Sequence, residues 1–290
     1  MLSTRTGSFP IGFRRGDADW QKNLDSLLRW ATSNGLGVID VGADADVIGS
    51  KIVAVGLRIG SADLRDYNGL LSPDKGRRAQ AIANNTQYIR SAAAVGVRNF
   101  FCLMLPEKPD LSRRENFAIM IETLAELAPT LERAGACMVV EGWPGPGALC
   151  CTPESFRAMF KQVPSPAIAM NYDPSHLIRM GIDPIRFLEE FVGRVRHVHG
   201  KDTEILSENL YEYGCEQPAT FAEPFFCGAW HWRYTIPGHG QMRWIKAFSI
   251  LRKHGYAGAV SVELEDASYT GSAENEQAGI LAGARYLESC

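Results

Sequence analysis

Short apolar runs alternate with longer amphipathic segments along the whole chain, and this alternation limits the folds available to it. Seven runs rich in β-branched and apolar residues predict strands at 37–42, 51–57, 98–104, 137–141, 167–173, 195–199 and 259–263. An eighth strand is expected near residues 3–9. Runs this continuous are typical of a parallel sheet whose two faces are both buried.

The segments between these runs carry the signals of helices. Helical patterns are found at 19–33, 74–95, 113–134, 241–254 and 271–287. Two more helices are predicted to begin at Thr152-Pro153 and Asp183-Pro184, because a capping residue followed by proline is typical of a helix start. Eight strands alternating with helices in 290 residues predict one (β/α)8 TIM barrel that forms a single domain over residues 1–290. A doubly wound open sheet is the alternative, but no strand is followed by the glycine-rich fingerprint of a dinucleotide site or by a Walker loop.

One segment, residues 203–237, interrupts the alternation between the seventh strand and its helix. It is rich in aromatic residues: Tyr211, Tyr213, Phe221, Phe225, Phe226, Trp230, Trp232 and Tyr234. A loop of this length is usually functional, so we expect a lid-like insertion. The alternatives are a decoration packed on the barrel rim and a contact between subunits of a homo-oligomer.

Charge and cysteine usage exclude several classes of partner. The net charge is −3 and the pI about 6.1, so no basic footprint for nucleic acid or an anionic membrane is present. No apolar run reaches transmembrane length, and the first residues lack the apolar core of a signal peptide. Seven scattered cysteines without C-x-x-C spacing fit a reducing compartment. We therefore expect a cytoplasmic protein that binds neither nucleic acid nor membrane.

Four consecutive predicted strands end in a residue that can bind a metal ion. These residues are Glu141, Asp173, His199 and Glu263. Active sites of TIM barrels lie at the carboxyl ends of the strands, and alternation along a strand directs these four side chains to one face. Three carboxylates and an imidazole favour Mn²⁺, with Mg²⁺, Co²⁺ and Zn²⁺ as alternatives.

Three further polar residues accompany this set. His176 follows Asp173 closely and could hold a substrate hydroxyl or carbonyl, although a loop histidine bonded to the backbone is the simpler interpretation. Lys201 could neutralise an enediolate oxygen, or form a salt bridge with Asp202 or a neighbouring strand end. His197 lies one layer deeper than His199, so we expect it to orient or pack and not to bind metal.

Together these motifs resemble the xylose isomerase-like superfamily of metal-dependent TIM barrels, which includes ketose 3-epimerases, inosose dehydratases and isomerases, and endonuclease IV. The resemblance covers the C-terminal half: Val140-Glu141-Gly142, Asn171–His176, His197–Asp202, Ile236–Gly240 and Val262–Asp266. It implies that Glu141, Asp173, His199 and Glu263 bind one divalent cation and that His176 touches substrate. It also implies that Glu141 and Glu263 exchange protons on opposite faces of a substrate carbon. Arg243 departs from the family, whose members often have an acid before the tryptophan of that segment.

The resulting hypothesis is a divalent-metal-dependent isomerase or epimerase of a sugar, keto-sugar or cyclitol. The ion stabilises an enediolate by charge while a carboxylate moves the proton, and Trp143 and Trp232 contact the substrate. A metal-dependent lyase or dehydratase acting on a keto-glycoside or inosose needs the same groups and is the alternative. A non-catalytic binding barrel and a DNA-repair enzyme like endonuclease IV are weaker alternatives, the latter because no histidine precedes His176 and the chain is acidic.

Overall fold

All 290 residues are described by the computed structural model, which contains ten strands. They are β1 (Ile11–Arg14), β2 (Val38–Val41), β3 (Arg58–Asp63), β4 (Asn99–Leu103), β5 (Cys137–Glu141), β6 (Ile168–Tyr172), β7 (Val195–Gly200), β8 (Asp202–Ile205), β9 (Trp232–Thr235) and β10 (Val260–Val262). Eight of them close a barrel in the order β1-β10-β7-β6-β5-β4-β3-β2, and the registers of this sheet are parallel. The predicted (β/α)8 TIM barrel is confirmed.

Twelve α-helices connect the strands. They are α1 (Asp19–Lys22), α2 (Leu24–Ser33), α3 (Ala45–Ala54), α4 (Tyr67–Leu70), α5 (Lys75–Ala94), α6 (Arg113–Arg133), α7 (Pro153–Gln162), α8 (Pro174–Arg179), α9 (Pro184–Phe191), α10 (Ser207–Tyr213), α11 (Trp244–Lys253) and α12 (Ala273–Ser289). Thr152 caps α7 and Asp183 caps α9, as the sequence predicts. No helix is long and apolar enough to cross a membrane.

The prediction of a first strand at residues 3–9 is wrong, because the chain reverses there. Gly7 and Ser8 both have positive φ angles, and the amide of Thr4 donates to the carbonyl of Phe9. This tight reversal puts Ser3 in an isolated antiparallel bridge with Pro10. The first barrel strand, β1, therefore begins only at Ile11.

The prediction of a strand at residues 51–57 is also wrong. Most of this segment belongs to α3, which buries Ala45, Gly49 and Ile52 at helical spacing. Gly56 has a φ of 84°, a conformation that ends the helix, and β3 follows at Arg58. Short β-branched runs do not by themselves distinguish a strand from a helix, because packing decides their conformation.

Packing within the chain is densest in two compact units. The first comprises Met1–Gly37, Asp173–Val192 and His199–Cys290, and the second comprises Val38–Tyr172 and Gly193–Val198. A core of the second unit is formed by Phe101, Val139 and Ala169 from β4, β5 and β6. That residues 1–290 form a single domain stays a prediction.

The insertion at 203–237 is more regular than the sequence suggests. Its two ends form β8 and β9, an antiparallel hairpin in which Asp202 pairs with Thr235 and Thr203 pairs with Tyr234. Between them lie α10, in which Tyr211 is 88% exposed, and a following segment in which Phe221 is 99% exposed. The insertion thus consists of a buried base and an exposed tip, which we define as the chain between Ile205 and Trp232.

Candidate metal centre

Three of the four predicted ligands lie in the first unit and face one another. Nδ1 of His199 lies 3.3 Å from Oε2 of Glu263 and 4.0 Å from Oδ2 of Asp173. Asp173 is fixed by its position as the N-cap of α8, where its Oδ1 accepts hydrogen bonds from the amide and hydroxyl of Ser175. These contacts leave Oδ2 directed towards the other ligands.

The fourth predicted ligand, Glu141, ends β5 in the second unit. Its Oε2 accepts a hydrogen bond from Nδ2 of Asn171 on the paired strand β6, at 2.5 Å. Within the first unit, ligand atoms of Asp173, His199 and Glu263 all lie within 4.8 Å of one another. The structure therefore brings together three of the predicted ligands in the first unit, and Glu141 as the fourth ligand stays a prediction.

This cluster fits a divalent cation on two observations. Oδ2 of Asp173 is buried and accepts no well-directed hydrogen bond. Lys201 Nζ and His176 Nε2 each lie 3.3 Å from it, so this oxygen can still gain from a closer and better-directed partner. Carboxylate oxygens and imidazole nitrogen are also the donor atoms that Mn²⁺, Mg²⁺ or Zn²⁺ would take. A divalent cation bound to Oδ2 would be such a partner.

Lys201 is the cation of this region, and it is only 2% exposed. Its Nζ lies 2.5 Å from Glu263 Oε2, 2.9 Å from Glu265 Oε2 and 3.3 Å from Asp173 Oδ2. Burial alone would lower the pKa of Lys201, but the charges of Glu263, Asp173 and Glu265 raise this pKa well above its ordinary value. Lys201 is thus a permanent positive charge. Its contact with Glu263 is the salt bridge to a neighbouring strand end that the sequence analysis named as one alternative for this residue.

The charge on Glu263 is stabilised from several sides. Burial would raise the pKa of its carboxyl group, but Lys201, His199 and Arg14 hold that pKa well below the ordinary value. Arg14 ends β1 and places Nε 3.2 Å from Oε1 of Glu263. The contacts of Arg14 and Glu265 were not expected from the sequence, although Arg14 ends β1 and Glu265 lies in the loop that follows β10.

His176 lies on α8 and is buried against the hairpin. Its Nδ1 lies 2.6 Å from the hydroxyl of Tyr234, and its Nε2 lies 3.3 Å from Oδ2 of Asp173. The ring therefore lies next to a predicted ligand, at 1% exposure. In the sequence, Tyr234 is one of several aromatic residues of the insertion, but its hydroxyl lies beside His176 in the structure.

The two predicted substrate tryptophans lie in different places. Trp232 on β9 packs against Tyr234 at 4.9 Å between ring centroids, and the guanidinium of Arg179 lies 4.6 Å from the Trp232 ring centroid. Trp143 lies in the loop after β5, partly exposed, with its ring over the backbone of Gly145. Both tryptophans stay candidate substrate contacts. Arg243, the residue that departs from the family, lies 3.6 Å from the carboxylate of Asp183.

His197, expected to orient or pack, is fully buried beside Asp40. Its Nε2 lies 2.8 Å from Oδ2 of Asp40, whose Oδ1 accepts a hydrogen bond from the amide of Ser61. Gly60 makes room for this pair, because a Cβ there would collide with the Asp40 carboxylate. Asp40 and His197 thus form a buried polar pair in the second unit.

The fold is a TIM barrel whose strand ends carry a candidate metal centre. The family model described as "xylose isomerase-like TIM barrel" matches residues 17–290, and the chain belongs to this family. The predicted resemblance is confirmed.

Relatives and solved structures agree with this family. An inosose dehydratase of Bacillus licheniformis is 24% identical over 274 residues, which cover 89% of this chain and 87% of that protein. Two other relatives align over only 32% and 36% of their own length.

The structure of the Escherichia coli 3-keto-D-glucoside 4-epimerase YcjR has a TM-score of 0.70 at 16% identity, covering 97% of this chain and 100% of that one. The IolI protein, solved with a bound zinc atom, has a TM-score of 0.69 at 17% identity and 96% coverage of both chains. At these identities the two structures support the fold alone.

Proposed function

We propose that this protein is a divalent-metal-dependent isomerase or epimerase that transfers a proton at a carbon next to the carbonyl of a sugar, keto-sugar or cyclitol. The observation that carries this proposal is the cluster of Asp173, His199 and Glu263, whose ligand atoms lie within 4.8 Å of one another. The strand ends predict Glu141 as the fourth ligand. An ion bound there would supply positive charge beside the substrate carbonyl and its neighbouring hydroxyl. Mn²⁺ is our preferred ion because carboxylates dominate the donor set.

The chain's own groups supply the remaining chemistry. Glu141 and Glu263 would remove and return the proton, since a carboxylate within hydrogen-bond reach of the carbon is sufficient. Lys201 adds a fixed positive charge beside Glu263. This charge would stabilise a substrate oxygen that becomes negative during the reaction. Trp143, Trp232 and His176 would contact the sugar.

A lyase or dehydratase is the second candidate. The relative that aligns over most of its length is named inosose dehydratase, and elimination starts with the same proton removal next to a carbonyl. The outcome then depends on whether a hydroxyl or another group on the next carbon departs. The carboxylates described above serve either reaction.

Incubation with candidate ketoses, inososes and 3-keto-glycosides in D₂O tests both candidates. Solvent deuterium at one carbon of an intact skeleton, read by NMR and mass spectrometry, would support isomerisation or epimerisation. Loss of water or of an aglycone would support the lyase. Absence of exchange with every candidate, in protein loaded with Mn²⁺, would contradict both.

A further inference from the structure

Tyr234 joins the hairpin to the candidate metal centre. Its side chain is only 4% exposed, and its hydroxyl lies 2.6 Å from Nδ1 of His176. Two cations lie near the ring, with Lys201 Nζ 4.6 Å and the Arg179 guanidinium 5.5 Å from its centroid. These contacts hold the phenol in one place.

The direction of the hydrogen bond between Tyr234 and His176 follows from the other end of the imidazole. Nε2 of His176 faces Oδ2 of Asp173 at 3.3 Å. An ionised carboxylate can only accept, so this contact is favourable when Nε2 carries a hydrogen atom. In a neutral ring Nδ1 is then the acceptor, and the hydroxyl of Tyr234 must be the donor.

We propose that Tyr234 is a positioning residue. It fixes His176 as the Nε2–H tautomer, and His176 in turn orients the Asp173 carboxylate for a divalent cation. Groups that hold a metal ligand in place from outside commonly affect metal affinity. The part of this proposal that concerns the cation rests on the proposed function, whereas the tautomer of His176 does not.

The base of the hairpin is built to keep Tyr234 in this position. Tyr234 pairs with Thr203 across the hairpin, and the hydroxyl of Thr203 donates to the carbonyl of Ser175, the residue before His176. The hairpin and α8 are therefore bonded at two adjacent points. Tyr234 reaches His176 through a fixed base and not through the exposed tip.

The first test reads the tautomer directly in metal-free protein. Ring ¹⁵N chemical shifts of labelled histidines distinguish Nε2–H from Nδ1–H, and the His176 signal is the one absent from a His176→Asn spectrum. We expect the Nε2–H form in the wild type, and loss of this single form in Tyr234→Phe. A wild-type ring protonated on Nδ1, or a Tyr234→Phe spectrum unchanged at His176, would overturn the proposal.

The matched control is Tyr211→Phe, the same chemical change at a largely exposed tyrosine of the tip. It should leave the His176 signal unchanged. The wild-type spectrum alone tests the direction of the hydrogen bond, so the proposal stays testable should Tyr234→Phe fail to fold.

The second test measures the dissociation constant for Mn²⁺ by competition with a chelating fluorophore. We expect about tenfold weaker binding in Tyr234→Phe and wild-type binding in Tyr211→Phe. Equal binding in both variants would overturn the orienting action on Asp173 and leave the proposed function intact. If the wild type binds no divalent ion, the metal part of the proposed function and the metal part of this inference are both overturned. The tautomer result would still decide whether Tyr234 positions His176.

Discussion

Nζ of Lys201 lies 2.5 Å from Oε2 of Glu263, so a protein cation already contacts a carboxylate oxygen of the candidate metal centre. The same ammonium lies 3.3 Å from Oδ2 of Asp173. Lysine and a divalent ion would thus be attracted to the same two carboxylates, and their positive charges would repel each other.

Replacing Lys201 by methionine should therefore tighten divalent binding while lowering activity. Methionine retains most of the apolar stem but removes the charge, so we expect the Mn²⁺ dissociation constant to fall about tenfold or more, since the lost repulsion is short-range and poorly screened. Metal titration by calorimetry measures this change. Weaker binding in Lys201→Met would show that Lys201 supports the metal centre by packing or orientation instead.

In the absence of metal, Lys201→Met should also destabilise the fold. It leaves Glu263, Glu265 and Asp173 without their shared cation, and breaking one partner of a buried ion pair costs about 3–5 kcal/mol. Urea unfolding with and without Mn²⁺ measures this cost, and added Mn²⁺ should restore part of the lost stability.

Glu141→Gln and Glu263→Gln should each lower turnover strongly while the fold is kept. Glutamine preserves the shape but cannot accept the proton, and such a loss costs about 10² to 10⁴-fold in rate. Glu265→Gln is the matched control, because Glu265 contacts Lys201 but lies outside the ligand cluster. Circular dichroism checks folding, and deuterium exchange checks activity; equal activity in Glu265→Gln and Glu263→Gln would contradict the assignment.

Asp40→Asn should destabilise the protein by about 2 kcal/mol, the usual cost of leaving a buried polar group without a matched partner. The new amide nitrogen would face Nε2 of His197, or else the amide of Ser61 would lose its acceptor. Thermal unfolding measures the effect. Asp17→Asn changes an exposed aspartate in the same way and should stay within about 0.5 kcal/mol of the wild type.

Asp202→Asn should loosen the base of the hairpin. One carboxylate oxygen accepts from the amides of Thr203 and Met242, and the other accepts from Nε1 of Trp244 and, at 3.4 Å, from the amide of Gly238. An asparagine would turn its amide nitrogen towards one pair of donors, at a cost of about 1–3 kcal/mol. Hydrogen exchange at Thr203 and Met242 should rise.

The control for this prediction lies in the same hairpin. Glu204→Gln removes a half-exposed ion pair with Arg233 and should change stability by less than about 1 kcal/mol. Unchanged hydrogen exchange in Asp202→Asn would contradict a restraining function for its carboxylate.

The architecture and the four candidate ligands were predictable because each depends on short-range patterns. Alternation along a strand places Glu141 and Glu263 at strand ends without knowledge of any other element. The two wrong strands show the limit of such patterns: the reversal at Gly7 and the helical packing of Ile52 depend on tertiary contacts.

The environment of Tyr234 was not predictable for a different reason. Its place beside His176 depends on the register of β8 and β9, and the two residues are far apart in sequence. Composition marked the insertion as aromatic, but nothing local distinguished Tyr234 from Tyr211 or Tyr213. Only the pairing of Thr203 with Tyr234 separates a buried aromatic residue from its exposed neighbours.

The division of the insertion into a paired base and an exposed tip has a consequence for how sequences of this kind can vary. Residues added to or removed from the tip leave the register of β8 and β9 unchanged, because the pairing ends at Ile205 and Trp232. A single residue added within Trp232–Thr235 would instead turn Tyr234 to the opposite face of the hairpin. The tip is therefore the part of the chain where length and composition can diverge, or be exchanged by design, without disturbing the candidate metal centre.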